Sequence, residues 1–371
     1  MAVLLFLGLA ALEPLSSETI EKVRDVSSLL APIVERHQMP GMAGAIVTGK
    51  GTLALGVTGV RRRGSDEKMT INDLYHLGSC TKAMTATLCA ILVEKKKLSW
   101  NTTIARAFPK LKEIHPDYRN VTLEQLLTNR GGVPTSLDAG GLWGRLWRHK
   151  GSPASARRLL LEGVIARAPV SPPGTKFIYS NGGFSIAGHM AETVMKTSYE
   201  ELLVKEVFKP IGITTAGFGA PGNRDALGQP RGHTTAGKPV EPGPGADNPV
   251  AVSPAGRVHC TIEDWGKFVS LHLRGAKGDT KLLKRSSFRK LHQSPKGPGS
   301  SYAMGWGIHR RNWGGKVMNH SGSNTMWYVT TWVAPEKNFA VLSACNQGGK
   351  RATKACDEAS GALIQYYLKR K

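Results

Sequence analysis

Ser79 and Lys82 stand three residues apart in HLGSCTKAMTATLCAILVEKKKL, residues 76–98, and Lys82 is the one charged residue between Ser79 and Val93. A lysine in so apolar a run either snorkels, keeping its ammonium in water, or is held as a base beside a nucleophile. Residues i and i+3 of a helix share a face, about 5–6 Å apart. A helix starting near Ser79 therefore sets the hydroxyl at its positive end and the amine one turn on. Burial disfavours the ammonium, lowers the lysine pKa and frees the amine to take a proton. Such a pair supports nucleophilic acyl transfer. Spacing alone decides little, because Ser65–Lys68 and Ser287–Lys290 repeat it. Those copies lie in RRRGSDEK and KRSSFRKLH, among other charges.

Two further groups carry chemistry. In PPGTKFIYSNGGFSIAG, Tyr179, Ser180 and Asn181 follow a Pro-Gly turn and precede a helix. Tyr179 reads as a buried tyrosine with one polar partner, or as a phenol that relays a proton beside an amide that bonds a carbonyl. Tyr118-Arg119-Asn120 repeats the pattern in a loop leading to a helix capped by Thr122. In NHSGSNTMW, His320, Ser321, Gly322 and Ser323 close a strand. A lone histidine there is more often structural, while Gly322 permits close backbone approach. His76-Leu77-Gly78 has the same form but abuts Ser79, so it forms no separate wall. The five cysteines are scattered, odd in number and without a CxxC pair, and no HExxH or other metal-ligand spacing occurs. They read as buried free thiols, with no disulfide framework, metal or cofactor expected.

Taken in order, Ser79-Cys80-Thr81-Lys82, Tyr179-Ser180-Asn181 and His320-Ser321-Gly322 resemble the three-motif set of the serine β-lactamase and penicillin-binding family. The nearest branch holds class C β-lactamases, D-Ala-D-Ala carboxypeptidases, D-aminopeptidases and family VIII carboxylesterases. LEQLLTNRGGVP, PAGRVHCTIEDWGKF and YAMGWGI add to the likeness, which runs from about residue 18 to the end.

The resemblance implies an α/β fold (α+β in some schemes): an antiparallel sheet flanked by helices, with a mostly helical inserted domain. It makes Ser79 the acylated nucleophile and gives base and proton-shuttle work to Lys82 and Tyr179, either of which could be the base. Asn181 orients the substrate carbonyl and the lysine. Backbone N–H groups of Ser79 and Ser323 form the oxyanion hole, Gly322 lies beside it, and His320 lines the substrate wall. Class C β-lactamases carry lysine where this chain has His320, and histidine is mostly neutral at pH 7. That departure argues against efficient β-lactam hydrolysis; the expected activity is carboxylesterase-type, with weak β-lactamase activity. The His-x-Gly form is more like the carboxypeptidase and D-aminopeptidase branch. The substrate is thus a small ester, a β-lactam or a D-amino-acid peptide. The alternatives are a D-Ala-D-Ala carboxypeptidase or penicillin-binding protein, and a non-catalytic cell-wall binder or scaffold. Trp143, Trp147, Trp306 and Trp327 flank the motifs and read equally as an acyl pocket or as core.

Several elements must position these groups. Residues 18–37 have helical spacing with Ser17 as N-cap, and GMAGAIVTGKGTLALGVTGVRR reads as two strands around a turn. CTIEDWGKFVSLHL reads as a helix with Thr261 and Asp264 as a capping box. KVMNH, MWYVTTWVA and NFAVLSACN form a meander broken at SGSNT and PEK, and a last helix spans about 354–368. Residues 18–78 and 296–371 are expected to form a sheet-plus-helix domain. Residues 79–295 are expected to form the mostly helical one, with an irregular connection over 217–258. Residues 1–17, apolar but without a preceding Lys or Arg, read slightly more as a plain lead-in than as a signal peptide, favouring a cytoplasmic over an exported protein. No run of 18 apolar residues occurs. Fifty basic against 27 acidic residues give a net charge of +23, which reads mainly as solvated surface and leaves room for association with an anionic cell-wall or membrane surface. The short basic runs lack any recognition motif, so no specific nucleic-acid binding is expected.

Overall fold

The computed structural model describes residues 23–296 and 301–370. Its main sheet is built from the two ends of the described chain. Strands β1 (Arg24–Asp25), β2 (Gly41–Thr48) and β3 (Gly51–Gly59) come from the start. Strands β9 (Gly307–Arg311), β10 (Gly315–Ser323), β11 (Tyr328–Ala334) and β12 (Phe339–Cys345) come from the end. The order is β1-β3-β2-β12-β11-β10-β9. Every pairing is antiparallel except β1 with β3. The two halves join where β2 pairs with β12, from Met42 opposite Cys345 to Thr48 opposite Phe339.

Both central strands are apolar on each face, as a sheet covered on both sides requires. Side chains alternate with a period of two. Met42 and Cys345 pack with Leu30, Ile33, Ala355 and Ala359, under helices α1 (Ser27–Arg36) and, at the end of the chain, Lys350–Leu368. Ala43, Ala45, Ala340, Leu342 and Ala344 face the opposite way, into a core with Trp265, Phe268 and Val269. Full burial of each of these large side chains contributes about 1.5–3 kcal/mol.

The helical layer beyond holds α2 (Thr81–Glu94), α3 (Pro153–Ile165), α4 (Asn181–Met195) and α5 (Ile262–Lys277), and the closing helix is α6. Every residue of α2 from Thr81 to Leu92 is buried. Buried Arg157 ties α3 to α4 through two hydrogen bonds to Glu192 (3.0 and 2.6 Å) and reaches Glu200 beyond it at 2.9 Å. Burial raises the Glu192 carboxyl, but hydrogen bonds from His189 and Arg157 outweigh it and bring the pKa to about 2. A second sheet pairs β4 (Leu74–His76), β8 (Val258–Thr261) and β5 (Gly217–Phe218), and a short ribbon pairs β6 (Gly232–His233) with β7 (Pro239–Val240). The stretch 217–258 is thus irregular with short strands. Segment 79–295 also supplies α5, which packs on the main sheet through Gly266 against Val47.

Several local expectations shift. The first helix starts at Ser27, because Arg24–Asp25 are drawn into pairing with β3. Asp25 Oδ1 accepts the Ser27 N–H at 2.8 Å, while the N-cap residue, Val26, makes no side-chain bond. Ser17, residues 18–22 and the lead-in 1–17 lie outside the described residues. Thr261 caps α5 by accepting the Asp264 N–H, while the Asp264 carboxylate serves the Thr214 and Thr215 N–H groups and Lys267. Strand β10 runs on through Ser323, and α6 begins at Lys350. All five cysteines are free and buried: Cys80, Cys89, Cys260, Cys345 and Cys356.

Candidate active site

Residues Gly78–Cys80 form a 3-10 turn that runs directly into α2, so Ser79 sits at the entrance of a buried helix. Ser79 is half-buried while Lys82 is 0% exposed. The snorkelling alternative therefore fails. Lys82 Nζ donates to Ser79 Oγ at 3.1 Å, to Asn181 Oδ1 at 2.7 Å and to the Ala255 carbonyl at 2.8 Å. No carboxylate is among these partners, and burial lowers the pKa of the amine to about 7. The free amine is therefore far more accessible at neutral pH than in an ordinary lysine.

Tyr179 lies across Ser79, its ring centroid 4.7 Å from Lys82 Nζ and its hydroxyl hydrogen-bonded to the Ser79 side chain. Burial raises the Tyr179 phenol far above its usual value, more than that bond lowers it. The segment is fixed from outside: Asn129 Oδ1 accepts the Ser180 N–H at 3.0 Å, and Thr135 donates to the Tyr179 carbonyl at 2.8 Å. Ser180 caps α4, which begins at Asn181 and aims its amide at Lys82.

Strand β10 supplies the third side. Gly322 lies so near the Ser79 turn that a Cβ there would stand 1.9 Å from the Leu77 carbonyl and 2.9 Å from Ser79 N. Gly78, at φ +47°, is as tightly held, its Cβ position being 2.3 Å from Ser323 N. Only glycine fits this crossing, which brings the Ser79 and Ser323 backbones together. The Ser323 side chain turns away, accepting the Thr325 N–H and donating to the Trp327 carbonyl. His320 is at the site but 7% exposed. Its Nδ1 is bonded to the Ser321 carbonyl at 2.7 Å, and its Nε2 to the Tyr302 hydroxyl at 3.1 Å. Burial, and then the Lys82 charge, lower its pKa to about 3, so the ring is neutral.

A model described as Beta-lactamase matches residues 26–363. The chain belongs to the beta-lactamase family. Penicillin-binding protein 4 of Amycolatopsis lactamdurans is 28% identical over 281 residues, 73% of this chain and 70% of that protein. An unguisins hydrolase of Aspergillus campestris is 25% identical over 365 residues, 94% of this chain. The chain spans 65% of that hydrolase's own length. The D-alanine carboxypeptidase AmpC from Burkholderia cenocepacia shares the fold, with a TM-score of 0.71 and 22% identity over 91% of this chain and 98% of its own.

Within this beta-lactamase-family chain the repeated motifs separate cleanly. Ser65 donates to the Arg62 carbonyl, Ser287 to Glu94, and Lys290 is paired with Glu124. Tyr118 is buried and donates to the Gly132 carbonyl, and Thr122 forms a capping box with Gln125. Trp306 and Trp327 are core residues, and Trp147 is 39% exposed. Two site groups had no clear signal. The Ala255 carbonyl is backbone, invisible to a reading of side-chain types. Tyr302 was legible only as the first residue of YAMGWGI. Among the described residues no group of three or more His, Cys, Asp or Glu side chains could hold a metal ion.

Proposed function

We propose that the chain hydrolyses small carboxylic esters, and more slowly amides, through an acyl-enzyme on Ser79. The observation that carries this reading is the buried Lys82 amine, 3.1 Å from Ser79 Oγ with its pKa lowered to about 7. Lys82 takes the role of base, because burial raises the Tyr179 phenol above its usual value while it lowers the Lys82 amine to about 7, beside Ser79 Oγ. Ser79 Oγ attacks the acyl carbon and its proton passes to Lys82 Nζ. The carbonyl oxygen takes the negative charge and is held by the Ser79 and Ser323 N–H groups, with Asn181 orienting the carbonyl. As the C–O bond to the leaving group breaks, Tyr179 gives that oxygen its proton and regains one from Lys82. Water then attacks the acyl carbon by the reverse relay and frees Ser79.

Neutral His320, with both ring nitrogens engaged, supplies no fixed charge for a substrate carboxylate. This supports uncharged esters over β-lactams, which would turn over weakly. The likeness to penicillin-binding protein 4 and to a D-alanine carboxypeptidase favours a D-amino-acid peptide as the second reading. Ser79→Ala should abolish turnover of a p-nitrophenyl ester without changing the circular dichroism spectrum. Assayed in parallel, the short ester should outpace nitrocefin and a D-Ala-D-Ala peptide. Undiminished turnover by Ser79→Ala sinks the acyl-enzyme, and a faster peptide selects the second reading.

A further inference from the structure

His76 ends β4 two residues before the nucleophile turn and is fully buried. Its Nδ1 accepts the Gly78 N–H at 3.1 Å. That bond fixes the tautomer, since Nδ1 must offer a lone pair and Nε2 must carry the hydrogen. Nε2–H then donates to Asp247 Oδ1 at 2.7 Å, and the other Asp247 oxygen accepts from Arg257 Nε at 2.5 Å. Burial opposes the Asp247 charge, but the His76 hydrogen bond and the Arg257 guanidinium outweigh it and lower the carboxyl pKa.

The same stretch, 247–258, also holds the other half of the catalytic pair. The Ala255 carbonyl accepts Lys82 Nζ, the Pro254 carbonyl accepts Thr85 Oγ1 at 2.6 Å, and Val258 N–H donates to Thr81 Oγ1 at 3.2 Å. Arg257 reaches back to Ser253 Oγ at 3.3 Å, within that short helical turn. One segment therefore grips α2 directly and grips the turn before it through His76.

We infer that His76, oriented by Asp247 and Arg257, is a positioning residue that sets the peptide plane in front of Ser79 and so aims the Ser79 N–H at the developing oxyanion. The Gly78 N–H belongs to the peptide immediately preceding the one that carries the Ser79 N–H. Gly78 is pressed against Ser323 on its other side, so the turn cannot relax by backing away. Losing the Nδ1 acceptor leaves a buried N–H unpaired, and the cheapest remedy is rotation of that peptide. Misplacing a reacting or stabilising group by 1 Å costs about a hundredfold in rate. This inference rests on the acyl-enzyme reading given above.

Two substitutions separate positioning from packing. In His76→Asn the amide oxygen overlays Nδ1 and keeps the Gly78 bond but loses the reach to Asp247. In His76→Gln the amide reaches Asp247 but offers nothing at Nδ1, although its volume is nearer to that of histidine. Expected for His76→Gln is a fall in kcat on a p-nitrophenyl ester of about tenfold to a hundredfold, with KM nearly constant. Expected for His76→Asn is substantial rescue of kcat. If Gln keeps wild-type kcat, or if Asn falls as far as Gln or further, the positioning role is overturned. Wild-type protein is first treated with a fluorophosphonate and the adduct mapped by mass spectrometry. Absence of a Ser79 adduct overturns the acyl-enzyme reading and this inference with it. A Ser79 adduct with the wrong order of variants overturns this inference alone.

Discussion

At the scale of single residues, the proposed chemistry turns on Lys82 having no carboxylate partner. Its three acceptors are a hydroxyl, an amide and a backbone carbonyl. The amide and the backbone carbonyl accept two N–H groups in either protonation state, while the Ser79 hydroxyl accepts a third from the ammonium or donates to the free amine; no carboxylate holds the charge, and burial lowers the pKa to about 7. A base acts in its deprotonated form. Ester kcat/KM should therefore rise with pH along a limb centred near 7, falling below it as the ammonium forms. Lys82→Ala should remove that limb together with most of the rate, and a limb that survives in the variant would assign the titration elsewhere. The isolation of Lys82 among apolar residues was legible from the sequence. The neutrality of His320 was expected from its type, but its engagement by Tyr302 and Ser321 was not, because side-chain direction on a strand depends on what stands opposite. His76 likewise appeared only as a repeat of a motif abutting Ser79, since its partners at 247 and 257 are distant in sequence.

At the scale of elements, the site stands where three segments converge: the turn into α2, the start of α4 and the end of β10. The three motifs, not periodicity or caps, marked them in the sequence. Their mutual approach depends on features without periodicity, such as the Gly78–Gly322 crossing and the buried Arg157 pair. Arg157 joins α3 to α4, the helix that presents Asn181, so its loss should loosen that side of the site as well as the fold. Arg157→Ala leaves Glu192 buried without its arginine partner, a change that costs about 3–5 kcal/mol. It should lower the urea midpoint at pH 7 accordingly. The pH dependence has a definite sign. Because Glu192 has a folded pKa depressed to about 2 from 4.5, its contribution is fully present above 4.5 and is lost as pH falls toward 2. The difference between wild type and variant should therefore shrink on acidification between those values. A difference that persists unchanged at pH 2 would show that the lost stability came from packing and not from the ion pair.

At the scale of the whole molecule, the two ends of the described chain build one sheet and the middle builds a helical layer on it, an arrangement legible from strands clustered at both ends. Helix α5 comes from the middle segment by sequence and packs on the sheet through Gly266 against Val47. The register of β2 on β12 couples residues about three hundred positions apart. The five buried cysteines are distributed across this architecture: Cys80 and Cys89 at the turn and along α2, Cys260 in β8, Cys345 in β12 and Cys356 in α6. Burial raises the pKa of every one of them, holding Cys89 and Cys345 at about 12. In the closed molecule none offers a thiolate to a disulfide reagent at neutral pH. Reaction with Ellman's reagent should therefore be slow in native buffer and reach five equivalents in guanidinium. A thiol that reacts at once in native buffer would contradict this burial. Peptide mapping of partly labelled protein would then give the order in which the layers open. The protein carries its own unfolding clock, one hand in each layer, with no label engineered into it.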